Sequence, residues 1–71
     1  MKKFIEELTD KKSKNVLYIK RYYFDSSKNN PIIIEQVEKA GDKEKIISEM
    51  RIPLENAPER IREIAYNMMS E

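Results

Sequence analysis

The sequence predicts an α+β fold: an antiparallel meander of three or four strands followed by one C-terminal helix packed on the sheet. Three observations carry this. β-branched and aromatic residues alternate with period two over 16–25, 32–39 and 44–52. The connections between these runs are short and rich in turn formers, which favours antiparallel neighbours. The last segment repeats its apolar residues at helical spacing instead.

Residues 3–9 come first, and Phe4, Ile5 and Leu8 fit a helical stripe. The run is too short for periodicity to decide between helix and strand. A polar connection, Asp10 to Asn15, leads into the strand at 16–25. There Val16, Tyr18, Lys20, Tyr22 and Phe24 share one face, and Leu17, Ile19, Arg21 and Tyr23 the other. The second face carries aliphatic residues suited to a core, so Arg21 needs an acidic partner or an outlet at the sheet border. Asp25 to Pro31 is a turn, because Asp, Ser, Asn and Pro all favour local reversal.

Ile32 to Lys39 reads as the next strand, and Ala40-Gly41-Asp42-Lys43 as a hairpin loop built on the only glycine. In 44–52, Ile46, Ser48, Met50 and Ile52 fall on one face and Ile47, Glu49 and Arg51 on the other. Pro53 ends the strand, since it has no amide to donate. Asn56 is the expected helix N-cap, with Pro58 and Glu59 in the first turn. Ile61, Ile64, Ala65 and Met68 form the stripe that faces the sheet, with Leu54 stapling its start.

Seventy-one residues make one domain, 1–71, with a modest core that oligomerisation would reinforce. With no cysteine and no histidine, thiol nucleophiles, disulfides, thiolate metal sites and imidazole general bases are excluded. Glu35, Glu38, Glu44 and Glu49 read as cross-strand partners of Lys39, Lys45 and Arg51 rather than as a metal or acid–base cluster. The expectation is therefore a non-enzymatic protein without cofactor. The longest apolar run, Ile32-Ile33-Ile34, is far too short to span a membrane, which suggests a soluble cytoplasmic protein.

The net charge of +1 conceals an asymmetry: residues 1–28 carry eight Lys/Arg against four Asp/Glu, and residues 29–71 six against nine. A basic first part points to one positively biased surface. On the strand at 16–25, Tyr18 and Tyr22 flank Lys20, the combination of π-surface and cation that holds unpaired nucleic acid. Lys11, Lys12, Lys14 and Lys28 would form a phosphate-tracking rim beside it. The competing reading takes these rings as ordinary sheet core and the lysines as solvated loops.

The succession Tyr22-Tyr23-Phe24-Asp25, a polar turn, Ile32-Ile33-Ile34-Glu35-Gln36, a charged hairpin, then Arg51-Ile52-Pro53-Leu54-Glu55 before a helix resembles the PUR repeat of purine-rich-element-binding proteins. The resemblance spans about residues 3–69. It implies a four-stranded antiparallel sheet crossed by one helix, a plan shared with the Whirly-like group. It also implies an intertwined homodimer that binds single-stranded DNA or RNA through its sheets. The chain departs from the family in the glycine-free turn Asp25–Pro31 and in starting its helix with Ala57-Pro58. The alternative is a small protein–protein interaction module, an inhibitor or adaptor, that uses a strand border or the acidic second part.

Overall fold

The computed structural model describes residues 2–26 and 29–70, with Lys11 by its backbone alone. Strands β1 (Lys2–Lys12), β2 (Leu17–Asp25), β3 (Ile32–Ala40) and β4 (Lys43–Ile52) form one antiparallel sheet in the order β1-β2-β3-β4. A 3₁₀ turn, Leu54–Asn56, leads to helix α1 (Glu59–Met69). The α+β meander with a closing helix is thus the observed fold, and the ambiguous first segment is a strand. Gly41, at φ 64°, turns β3 into β4, and a Cβ there would meet nothing within 4 Å, so conformation rather than space requires glycine. With Ala40 paired to Lys43, Gly41 is the first central residue of a two-residue loop, the position that type II′ turns reserve for it.

Helix α1 packs on the face of Tyr22 and Phe24. These two rings, with Ile32, Ala57, Ile61 and Ala65, form the buried cluster, and Ile5, Ile34, Ile52, Leu54 and Met68 pack around it. The expected inward stripe of the helix is therefore present, with Ile61 and Ala65 fully buried. Its start differs from expectation. Asn56 sits in the 3₁₀ turn, and Pro58 takes the N-cap position, its carbonyl accepting from the amide of Arg62 at 2.9 Å. Proline suits this place because it has no amide to leave unsatisfied.

The face of Ile19, Arg21 and Tyr23, whose aliphatic residues suit a core, is not the one that α1 covers. Its apolar residues Ile19, Ile33 and Val37 are nevertheless buried. They lie beneath a layer of charged and aromatic side chains. Tyr23 donates to Glu35 at 3.0 Å, Lys2 lies 4.3 Å from the centre of the Tyr23 ring, and Phe4 meets that ring edge-on at 5.8 Å. Burial and then the bond to Glu35 raise the Tyr23 phenol above its ordinary pKa. Arg51 holds Asp25 at 3.1 Å. Arg21 holds Glu7 and Glu44, its expected acidic partners.

Three irregularities set which side chains share a face. Register shifts fall at Ile5, Asp10 and Ile47, where one strand gains a residue over its neighbour. The shift at Ile47 pairs Ile46 with Val37, while Ser48 pairs with Gln36 and Met50 with Ile34. Ile46 therefore leaves the face of Ser48, Met50 and Ile52 on which simple alternation put it. Glu44 turns with it, onto the face of Arg21.

Truncating Ile61, which is fully buried against Phe24 and Ile32, should cost about 2–5 kcal/mol as Ile61→Ala. Met69→Ala, on the exposed side of the same helix, should stay within about 0.5 kcal/mol. Urea denaturation followed by circular dichroism separates the two; equal losses would mean that α1 is not docked this way.

Candidate nucleic-acid interface

Meander connectivity puts the β1–β2 and β3–β4 hairpins at the same end of the sheet. The first is closed by two backbone bonds between Ser13 and Val16, the amide of Ser13 donating at 2.8 Å, with Lys14 and Asn15 at the apex. The second is the Gly41 turn. Between the tips lies an open cleft of about 320 Å³, with Lys12, Ser13, Lys14 and Leu17 on one side and Lys39 and Gly41 on the other. Among the described residues no ion pair engages Lys12, Lys14 or Lys39. Three lysines lining one cleft, none of them in an ion pair with a carboxylate, suit a phosphate.

A second pocket of about 240 Å³ lies alongside, lined by Asp10, Tyr18, Gln36 and Ile47 among others. Leu17 in the cleft and Tyr18 in this pocket are consecutive residues of β2, so their side chains point to opposite faces of the sheet. Tyr18 is partly buried, lies outside the cluster covered by α1 and lines this open pocket. Asp10 in its wall makes this pocket a poor phosphate site and leaves the cleft as the better one.

The residues expected to bind nucleic acid fare unequally. Lys12 and Lys14 line one cleft, whereas Tyr18 lies in the other pocket, on the opposite face of β2 from Leu17. Tyr22 is only 5 % exposed and belongs to the core under α1, so its assignment as a stacking platform is corrected. Lys20 is half-buried, with its ammonium 3.9 Å from the Asp10 carboxylate, which partly neutralises it. Lys11 pairs with Tyr18 in the β1–β2 register, and Lys28 lies outside the described residues. Lys39 is the residue that the sequence reading missed. The meander supplied the signal, because first and third connections of an up-and-down sheet must share one end.

Of the acidic residues of β3 and β4, Glu38 stands opposite Lys45 and Glu44 opposite Lys39, as the cross-strand reading expected, but Glu35 and Glu49 do not face cations. Glu35 stands opposite Glu49, not a cation, and is satisfied by Tyr23 and by Lys2 at 3.5 Å. Glu44 stands opposite Lys39 in register, yet Arg21 Nη2 donates to it at 2.6 Å, while Arg21 Nε donates to Glu7 at 2.7 Å. Arg21 sits in the row of Glu35 and Glu44 in the row of Lys39, so this bond spans the intervening row of Val37. The hydrogen bond from Arg21 holds Glu44 below its ordinary pKa, and Lys39 adds to the effect. The bonds to Glu44 and Glu7 in turn hold the Arg21 guanidinium still more firmly protonated. No group of three or more acidic residues suited to a metal ion occurs among the described residues, and none of their helices is long and apolar enough to cross a membrane.

A carboxylate whose pKa is depressed by folding stabilises the native state above its unfolded value and loses that effect as pH falls through the folded one. The stability difference between the native chain and Glu44→Gln should therefore be present at neutral pH and vanish as pH falls below the ordinary glutamate value of 4.5. Denaturation midpoints measured across this range test it; a difference that persists in acid would deny Glu44 its bond to Arg21. Comparison of the chain with protein-family models, with curated proteins and with solved structures returns no match. The order β-β-β-β-α does not by itself identify a PUR repeat.

Proposed function

We propose that this chain is a cytoplasmic, non-enzymatic protein that binds single-stranded nucleic acid at the hairpin end of its sheet. The carrying observation is the cleft at the hairpin end that Lys12, Lys14 and Lys39 line together. The phosphodiester backbone lies in the cleft and exchanges its counterions for the three ammonium groups. A base of the strand that passes round the hairpin end to the other face stacks on Tyr18. Neither contact reads base edges, so sequence preference is modest. The resemblance to PUR repeats supports the same reading. The absence of cysteine agrees with a reducing compartment, since small secreted domains commonly rely on disulfides.

One observation favours a protein partner in addition. Ile46, Ile47 and Met50 of β4 are each half or more exposed. A second copy of the chain pairing along the β4 border would reach Ile46 on one face and Met50 on the other, and would make the homodimer that a domain of this size profits from. Light scattering that reports a monomer at all accessible concentrations would remove the dimer from the proposal.

Fluorescence anisotropy with labelled single-stranded oligonucleotides tests the main reading. The logarithm of affinity should fall linearly with the logarithm of salt, and Lys12→Ala, Lys14→Ala and Lys39→Ala should each flatten the slope by about 0.7. Tyr18→Ala should weaken binding by about 1–3 kcal/mol and leave the slope unchanged. Absence of binding at low salt would refute the proposal, and capture of a protein instead would favour the interaction module.

A further inference from the structure

Lys39 and Glu44 are direct cross-strand neighbours, the pair that a charged hairpin would ordinarily close on itself. They do not close. Glu44 is taken by Arg21, which reaches it from two strands away and holds Glu7 with its other arm. A guanidinium presents several donors in a rigid fork and can hold two carboxylates at once, whereas an ammonium is a single flexible point charge. In the contest for Glu44 the fork prevails. The consequence falls on Lys39, which is left without an ion pair among the described residues and forms the far wall of the cleft.

We propose that Arg21 is a positioning residue for phosphate: by withdrawing Glu44, it keeps Lys39 free to make the third cationic contact of the cleft. This rests on the nucleic-acid reading above and names the group that the cleft takes, a phosphodiester or terminal phosphate. Arg21 itself never touches the ligand. Its neighbours agree with the assignment. Facing it are Glu7 from β1, Glu35 in register from β3 and Glu44 from β4, and Glu35 is already engaged by Tyr23 and Lys2. Of the two carboxylates that Arg21 holds, only Glu44 stands opposite Lys39.

Double substitution isolates the effect. Arg21→Gln releases Glu44 to Lys39, so the salt slope for a labelled single-stranded oligothymidine should flatten by about 0.7, as it does for Lys39→Ala. Arg21→Gln combined with Glu44→Gln should restore the slope. Arg21→Gln combined with Glu7→Gln has the same net charge and should not. Equal rescue by the two combinations, or no flattening in the single variant, would overturn the proposal. Should Arg21→Gln fail to fold, Arg21→Lys keeps a cation but gives up the fork, and should flatten the slope in the same direction.

A second readout is independent of nucleic acid. The Lys39 side-chain amine resonance, followed by NMR during titration with inorganic pyrophosphate, should move in the native chain and in the Glu44 double variant, and stay still in Arg21→Gln. If the native chain binds no oligonucleotide but Lys39 responds in this pattern, the nucleic-acid reading fails and the role of Arg21 stands. A Lys39 amine that ignores pyrophosphate in the native chain defeats that role.

Discussion

The organisation of this molecule follows from a mismatch of lengths. Its strands run nine to eleven residues, about 30 Å, while its helix of eleven residues is about 16 Å long. One such helix cannot cover one such face. The buried cluster accordingly gathers where Phe24, Ile32 and Ile52 meet, near the β2–β3 connection, and the hairpin end of the same face stays uncovered. The opposite face has no helix at all. A chain of this size cannot leave Ile19, Ile33 and Val37 in water, so it roofs them with ion pairs and rings instead.

That roof couples stability to the candidate site. The Arg21 bridge lies over Val37 and fixes Glu44 beside the β3–β4 hairpin, the same hairpin that supplies Lys39. A partly exposed ion pair contributes little by itself, and several that share one cation contribute more through geometry than through energy. The value of the arrangement lies in which charges it uses up. Glu7, Asp25, Glu35 and Glu44 are all engaged by partners on the helix-free face, and Lys12, Lys14 and Lys39 are in no ion pair among the described residues.

Much of this was legible in the sequence where local physics is dominant. The alternation over 16–25 and 32–39, the single glycine between two charged runs, and the stripe Ile61, Ala65, Met68 each follow from side-chain shape and period. Residues 3–9 were illegible for a definite reason: an extra residue at Ile5 breaks the period of two in an already short run, so a strand loses its signature. Ile47 does the same in β4 and reverses the facing of Ile46. Tyr22 was misjudged because alternation groups residues on a face without saying how far a short helix reaches along it. The cleft was half legible, since Lys12 and Lys14 are close in sequence and Lys39 joins them only through topology.

All three irregularities occur where the outer strands β1 and β4 pair with their neighbours, and the central β2–β3 ladder has none. This distribution has a colloidal meaning. An outer strand offers unused backbone donors and acceptors to any other strand that lies flat against it, and β4 adds Ile46 and Met50 to the attraction. A bulge kinks that template, and the lysines of β4 resist its stacking. Removing Ile47 would leave every remaining pair in register, Ile46 still against Val37 and Ser48 still against Gln36. The fold would keep its pairing with a straighter border, and a straighter border is the better template for another strand.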